Sequence, residues 1–137
     1  MRLILGMSTM TVYYYIILIV LVAWAGWRLW TDFQARRAAK YLNNDEFSKG
    51  LHDGQIVDLR ERKDFNAGHV LGARSMPYSM FKTSYQQLRQ DMPVYLYDQG
   101  KSLSRRAAVL LKKNGFTEIY ILNHGFVRWD GKTKAAK

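Results

Sequence analysis

The chain has 137 residues, of which 48% are hydrophobic, and its 21 Lys and Arg residues against 11 Asp and Glu residues give a formal net charge of +10. This length allows one modest domain and one additional segment. The complete absence of cysteine excludes disulfides, thiolate metal sites and a thiol nucleophile in this chain. The positive charge indicates a surface attracted to anionic lipid or nucleic acid, or a solvated basic face without a dedicated partner.

The N-terminal segment is apolar over a membrane-spanning length. No charged residue occurs from Leu3 to Trp27, and these residues would form a helix of about 37 Å, enough to cross a hydrocarbon core of about 30 Å. Aromatic residues flank its most apolar part: Tyr13, Tyr14 and Tyr15 before it, and Trp24, Trp27 and Trp30 after it. This arrangement is typical of the two membrane interfaces, so residues 1–30 are predicted to form a transmembrane helix.

Basic residues are distributed unequally around this segment. Only Arg2 precedes it, whereas four follow it: Arg28, Arg36, Arg37 and Lys40. The positive-inside bias predicts a single-pass protein of the cell membrane with its N-terminus outside and the following domain in the cytoplasm. A cleavable secretory signal is one alternative, because Ala23–Ala25 has the small-x-small pattern of a cleavage site. A buried helix of a soluble core is the other, but no other part of this short chain could cover a helix that is apolar all round.

After the span, the periodicity alternates between strands and helices. Residues 31–40 are predicted to form a basic juxtamembrane stalk, residues 41–130 a domain, and residues 131–137 a disordered basic tail. Within the domain, strands are predicted at 55–60, 94–97 and 117–122, and helices near 44–53, 78–90 and 104–113. A short helix or turn is predicted at 61–66, and a short extended stretch alternating with turns at 68–77. This alternation favours an α/β domain with a parallel sheet covered by helices on both faces.

One loop combines a strand end with a helix start. The strand Val94–Tyr97 is followed directly by Asp98, and the next helix begins a few residues later. A loop of this kind directs several backbone N–H groups towards one point, which suits an anion or an anionic nucleophile.

Several motifs together resemble the rhodanese homology domain over roughly residues 41 to 130. They are the strand end Ile56–Glu61, the glycine-histidine and glycine-alanine turn in Asp64–Pro77, the strand-loop-helix just described, Gly115-Phe116, Ile119–Leu122 and Trp129. The resemblance implies a doubly wound α/β fold around a parallel sheet. It also implies that Asp58 and Arg60 act mainly as scaffold groups.

The resemblance further implies a cysteine at the first loop position, which carries sulfane sulfur as a persulfide held by the loop's N–H groups. Here Asp98 occupies that position, Lys101 stands where the family often has glycine, and Leu103 where active members often have arginine. His124 stands where the first of two glycines is usual. The loop is therefore predicted to be degenerate, with no catalytic residue and no cofactor, over Asp98, Gln99, Gly100, Lys101, Ser102 and Leu103.

The chemistry of a carboxylate points the same way. A carboxylate is hard and weakly nucleophilic towards sulfane sulfur, whereas a persulfide carrier needs a polarizable thiolate. We expect the Asp98 oxygens to accept the loop's N–H groups and to cap the helix that contains Ser104. An aspartyl-phosphate nucleophile is the alternative, but it needs a metal held by neighbouring acids, and the nearest candidates are Asp58 and Glu61.

The remaining polar clusters give weaker signals. His52, His69 and His124 are too scattered for a metal motif and are predicted to be structural, so no metal site is expected. Lys101, Arg105 and Arg106 are predicted to form a basic rim around the loop that meets an acidic protein partner or phosphate, or that simply keeps the helix soluble. No motif supports nucleic-acid binding.

Three functions are compatible with these features. The first is a membrane-anchored, non-catalytic rhodanese-like domain that acts as a cytoplasmic binding or regulatory module. The second is a sulfurtransferase-related enzyme that uses a thiol donated by a partner chain. The third is a basic scaffold at the lipid surface that recruits acidic proteins.

Overall fold

The computed structural model describes Gly6 and residues 8–135. This part of the chain divides into two compact units, one ending at Gln34 and the other beginning at Ala35. The predicted residues 1–5 and 7 of the span, and residues 136 and 137 of the tail, lie outside the described residues.

The first unit contains most of helix α1, which spans Thr9–Ala38. It is long and apolar enough to cross a membrane by length and composition, and its large apolar side chains are exposed. The helix continues through most of the predicted stalk and ends at Ala38. Its last turn belongs to the second unit, where Ala35 and Ala38 are buried.

The second unit is built on a five-stranded parallel sheet in the order β1-β6-β5-β2-β4. The strands are β1 Lys40–Leu42, β2 Gln55–Asp58, β4 Arg74–Ser75, β5 Val94–Tyr97 and β6 Ile119–Leu122. The helices are α2 Asn44–Gly50, α3 Arg62–Ala67, α4 Tyr78–Ser84 and α5 Ser102–Lys113, with 3₁₀ turns at Tyr85–Gln87 and Phe126–Arg128. A separate antiparallel pair joins β3 His69–Val70 to β7 Thr133–Lys134.

Helices cover both faces of the sheet, as the sequence predicts. One buried cluster packs Phe81 of α4 and Leu111 of α5 against Leu96 of the sheet. The other packs Phe47 of α2 against Tyr95 and Tyr97. Because β5 lies between β2 and β6, all four of its residues are buried, so the loop that follows β5 leaves from the centre of the sheet.

Three element boundaries differ from the sequence-based prediction. The predicted stalk extends to residue 40, but Lys40 is the first residue of β1 and pairs with Tyr120 of β6. Helix α5 begins at Ser102 rather than Ser104. The predicted helix at 78–90 ends as an α-helix at Ser84 and continues as a 3₁₀ turn.

The predicted disorder of the tail also differs from the structure. Thr133–Lys134 form strand β7 against His69–Val70, and Leu71 N–H donates to the Lys132 carbonyl at 3.1 Å. This segment contains no large apolar residue. Its order therefore comes from backbone hydrogen bonds with β3, which is distant in sequence, rather than from packing of its own side chains.

Candidate functional site: the loop after strand β5

The loop after β5 lies at the carboxyl edge of the sheet. Asp98 directly follows the last residue of β5, and α5 begins four residues later. The site is therefore positioned by a central strand on one side and by a helix N-terminus on the other. Ligands of open α/β sheets bind at this edge.

Asp98 is turned into the protein rather than towards solvent. Its side chain is 3% exposed. One carboxylate oxygen, Oδ2, accepts the Leu103 N–H at 3.2 Å, and the other, Oδ1, accepts the Ser104 N–H at 3.4 Å and the Ser104 hydroxyl at 2.5 Å. The carboxylate thus caps the first turn of α5, as expected from the sequence, and a negative group there also complements the helix dipole.

The next loop residues face solvent. Gln99, Gly100, Lys101 and Ser102 are exposed, and Leu103 is half-buried. The Lys101 ammonium lies 6.0 Å from the ring centre of Tyr41 on the edge strand β1. The loop therefore exposes the Lys101 cation and its own backbone to solvent, while the Asp98 carboxylate is hydrogen-bonded inside the protein.

The second 3₁₀ turn and Gly125 just before it contact this loop from the other side. Phe126 N–H donates to the Asp98 carbonyl at 2.9 Å, and Val127 N–H donates to the Gln99 carbonyl at 3.3 Å. Gly125 has a φ of +71°, and a Cβ added there would overlap the Gln99 carbonyl oxygen. Only glycine fits both this backbone conformation and this close approach.

A buried polar cluster lies beside the loop, at the end of β2. Asp58 is fully buried and Arg60 is 6% exposed. Arg60 donates from Nη2 to Asp58 Oδ2 at 2.8 Å and from Nε to Oδ1 at 3.1 Å, and its own backbone N–H also donates to Oδ1 at 2.9 Å. The Tyr97 hydroxyl donates to Asp58 Oδ2 at 2.7 Å. The carboxylate is therefore saturated by partners within the protein.

This cluster also fixes the glycine-histidine turn. Arg60 Nη2 donates to the Gly68 carbonyl at 2.6 Å, and Val70 N–H donates to the Tyr97 hydroxyl at 3.0 Å. The guanidinium lies 4.0 Å from the ring centre of Phe126, a cation–π distance. Phe126 therefore contacts the cluster through its ring and the loop after β5 through its backbone N–H.

The electrostatics of the cluster follow from its burial. Burial raises the pKa of the Tyr97 hydroxyl far above its usual value of 10.0, and the neighbouring Asp58 carboxylate raises it further. Burial alone would lower the pKa of the Arg60 guanidinium, but the hydrogen bond and charge of Asp58 outweigh it and raise that pKa. Arg60 is thus cationic and Tyr97 neutral across the physiological range.

Comparison with known proteins places this architecture in a family. The sequence model of the rhodanese-like domain matches residues 43–132. The chain belongs to the rhodanese-like domain family. The expected bounds of 41–130 differ from this match by two residues at each end.

Relatives and solved structures agree with this assignment. A Bacillus subtilis protein, YqhL, is 43% identical over 122 residues, which cover 89% of this chain and 97% of that protein. The rhodanese-like domain of Anabaena Alr3790 is 25% identical with a TM-score of 0.62, covering 69% of this chain and 78% of that one. A rhodanese-like domain protein of Staphylococcus aureus shares the fold at 20% identity with a TM-score of 0.65, covering 72% and 99%.

In this rhodanese-like domain Asp98 stands at the position of the family's cysteine, and the chain contains no cysteine. The two acids suggested as neighbours of Asp98 bind other partners. Asp58 is bonded to Arg60 and Tyr97, and Glu61 is exposed and accepts the Ser79 hydroxyl at 3.2 Å. The geometry therefore gives no support to a metal-assisted aspartyl-phosphate reaction.

The other candidate residues are distributed more widely. Arg106 is exposed on α5 and Arg105 is half-buried, and both lie in the first two turns of this helix. His69 is buried, stacks on Phe65 with 3.7 Å between ring centres, and shares a hydrogen bond of 2.8 Å with the Phe65 carbonyl. This agrees with its predicted structural role, whereas the other two histidines are exposed to solvent.

Sequence reasoning missed the contributions of Gly125, Phe126 and Tyr97. The sequence indicates Gly125 only as part of a family glycine pair, and its contact with the loop joins segments about 25 residues apart. By its position in a buried strand, Tyr97 is predicted only to be a core residue. A tyrosine at the end of a buried strand usually needs a partner for its hydroxyl, and this is the signal that could have found it.

Proposed function

We propose that this protein is a membrane-anchored, non-catalytic rhodanese-like module that binds a partner at the cytoplasmic face of the membrane. The main observation behind this proposal is that the Asp98 side chain is buried and hydrogen-bonded within the protein. Where the family's sulfur chemistry needs a free thiolate, this chain has a buried carboxylate whose oxygens accept hydrogen bonds from Leu103 and Ser104.

Sulfur transfer requires a nucleophile that attacks sulfane sulfur and holds it as a persulfide. A thiolate does so because sulfur is polarizable, and a carboxylate does not form the corresponding stable sulfur adduct. An aspartate at this position also changes the pocket, since its negative charge occupies the place in which an anionic intermediate would be held. Both effects favour an inactive loop.

The exposed face around the loop supports a binding role. Lys101 and Arg106 contribute positive charge, and the adjacent Val127 side chain is 65% exposed. The Val127 backbone N–H donates to the Gln99 carbonyl, so this exposed apolar residue lies next to the loop. A surface of this composition suits an acidic protein segment with an apolar residue, because rim charges steer the encounter and apolar contact adds affinity.

The anchor supports a location at the membrane. Helix α1 is a candidate span, and the excess of basic residues after its apolar part favours a cytoplasmic domain. The absence of native cysteine allows a direct test by single-cysteine labelling in intact cells. We expect a membrane-impermeant maleimide to label Ser8→Cys without permeabilisation and Lys113→Cys only after it; the reverse pattern would contradict the orientation.

The catalytic part is tested with the full chain in lipid nanodiscs. Thiocyanate formation from thiosulfate and cyanide is expected to equal that of empty nanodiscs, and turnover clearly above this blank would overturn the proposal. The double variant Asp98→Cys/Leu103→Arg serves as the comparison, because it restores both chemically important positions. A parallel reaction with added small thiol asks whether a thiol from elsewhere rescues transfer, as the partner-thiol alternative requires.

The binding part is tested by charge reversal. Partners are copurified from solubilised membranes with the full chain, with Lys101→Glu/Arg106→Glu, and with the control Arg62→Glu/Lys63→Glu. The control changes the same net charge at exposed positions of α3. We expect specific partners to be lost only with the loop variant; equal recovery with all three chains would contradict a binding face at the loop.

A further inference from the structure

A cleft lies at the edge of the sheet opposite to the Asp98 loop. This cleft of about 620 Å³ is formed where α1 ends, where β1 and β6 begin, and where α5 reaches its last turn. Because β1, β5 and β6 are parallel, this is the amino edge, whereas the Asp98 loop leaves the carboxyl edge. The two features can therefore be tested separately.

The polar lining of the cleft is mostly cationic. Its charged side chains are Arg36, Arg37, Lys40 and Lys112, with Glu118 as the one acid lining it among the described residues. Thr117 also lines the cleft. Lys40 and Lys112 are distant in sequence, so the surplus of positive charge at this point is produced by the fold and not by a basic run alone.

The backbone around the cleft is well fixed. Lys40 pairs with Tyr120 in the sheet, Ala38 is buried in the domain core, and the Glu118 carbonyl accepts Val94 N–H at 2.9 Å. The side chains of Arg36, Lys40 and Lys112 are exposed. Cations on a fixed concave wall can converge on one anionic group at a lower entropic cost than cations on a mobile tail.

We propose that this cleft binds a phosphate group, supplied by the headgroup of an anionic phospholipid. Guanidinium groups match phosphate oxygens in pairs of hydrogen bonds, and lysines add point charge. Arg36 follows Trp30 by only six residues in the sequence, a length of chain that reaches at most about 21 Å. Basic residues at this distance from a span meet the anionic headgroups of the cytoplasmic leaflet.

The distinguishing residue is Lys112, because it reaches the cleft only through folding. Its neighbour Lys113 has the same charge, is likewise exposed and lies on the same helix, but does not line the cleft. Non-specific attraction to anionic lipid would treat the two lysines alike. A phosphate site in the cleft would depend on Lys112 and not on Lys113.

The experiment measures lipids retained on the full chain. The protein is reconstituted in nanodiscs of equal parts phosphatidylglycerol and phosphatidylcholine, and bound lipids are counted by native mass spectrometry. We expect Lys112→Glu to lower the ratio of retained phosphatidylglycerol to phosphatidylcholine by about fivefold, and Lys113→Glu to leave it unchanged. Circular dichroism of both variants confirms that they are folded.

A second arm separates a lipid headgroup from free phosphate. Inorganic phosphate is added to the full chain in phosphatidylcholine nanodiscs, with chloride at equal ionic strength as control, and thermal unfolding is followed. Stabilisation by phosphate that is lost in Lys112→Glu, with unchanged lipid ratios, would support the cleft but assign it to a soluble phosphate. Equal behaviour of the two lysine variants in both arms would overturn the proposal.

A variant that is expected to bind more lipid distinguishes loss of binding from loss of stability. Glu118 opposes an anion through its charge, so Glu118→Gln is expected to increase phosphatidylglycerol retention by several-fold. A decrease would contradict the proposed position of the phosphate. Neither arm involves Asp98, so failure here leaves the proposed function of the loop unaffected.

Discussion

The cluster of Asp58, Arg60 and Tyr97 and the loop that begins at Asp98 lie side by side at the carboxyl edge of the sheet, yet they relate differently to the family. The cluster keeps the aspartate and arginine that the family resemblance assigns to the scaffold. The loop departs from the family at its reactive position. The carboxylates of Asp58 and Asp98 are both buried and hydrogen-bonded, whereas the loop residues that follow Asp98 are exposed.

The difference shows which groups serve the fold and which serve the chemistry. Removing the Arg60 side chain would leave the buried Asp58 carboxylate without its ion-pair partner, and removing the Tyr97 hydroxyl would leave Val70 N–H without its acceptor. Both losses are costly whatever reaction the domain performs. A carboxylate is accommodated at the position of the family's thiol because hydrogen-bond donors at the start of α5 satisfy its charge. The proposed function therefore separates stability from sulfur chemistry at adjacent positions.

The largest loss of stability is expected for Arg60→Ala. This variant leaves Asp58 charged and fully buried without its ion-pair partner, which costs about 4 kcal/mol of unfolding free energy. Chemical denaturation of the full chain in detergent micelles, followed by circular dichroism, measures it. Arg62→Ala, at an exposed position of α3, is the control and should change stability by less than about 0.5 kcal/mol. Equal effects of the two variants would show that the buried pair is not a scaffold.

Two glycines test the packing of the loop against the closing segment. Gly125→Ala places a methyl group on the Gln99 and Gly100 carbonyls at a positive φ, and about 3 kcal/mol of destabilisation is expected. Gly100→Ala is the matched control, since a Cβ added there meets nothing within 4 Å. The same denaturation measurement compares them, and a tolerated Gly125→Ala would mean that this contact is loose.

Tyr97→Phe is expected to cost about 2 kcal/mol at neutral pH, because Val70 N–H loses its acceptor and Asp58 loses a donor. The native pKa of Tyr97 is raised above its ordinary value of 10.0, so this group's stabilisation is complete below pH 10 and is lost as pH rises further. There the unfolded phenol ionises while the native one stays protonated, with a slope of up to about 1.4 kcal/mol per pH unit.

The phenylalanine variant lacks this dependence on Tyr97. The stability curves of the two proteins, measured from pH 8 to 11, should therefore converge above about pH 10. Burial also raises the pKa of Tyr95, but this residue is present in both proteins and its contribution cancels in the difference. A constant gap across that range would argue that Tyr97 ionises normally.

The smallest of these effects is expected at Asp98. Asp98→Ala removes the acceptor of the Leu103 and Ser104 N–H groups, which costs about 1 kcal/mol as the loss of a helix cap. Asp98→Asn keeps one acceptor oxygen and should recover part of the loss in the same assay. If Asp98→Ala instead stabilised the domain, the carboxylate would have a role other than capping, and the proposed function would need revision.

Local patterns in the sequence predicted much of this protein. An uninterrupted apolar stretch with aromatic flanks predicts the helix that contains Thr9–Ala38, and alternation of buried strands with amphipathic helices predicts the parallel sheet. An aspartate directly after Val94–Tyr97 and just before a helix predicted the cap on α5. These features depend on residues close together in the chain, where periodicity and capping act directly.

Only the tertiary structure decided the features that join distant segments. Lys40–Leu42 and Thr133–Lys134 are short and lack a strong pattern, and they become strands because β6 and His69–Val70 offer them backbone partners. The contact of Gly125 with Gln99, the link between Tyr97 and Val70, and the convergence of Lys112 with Lys40 also come from chain folding. Hydrogen bonding and close packing between remote segments depend on positions in space, which neighbouring residues in the sequence do not specify.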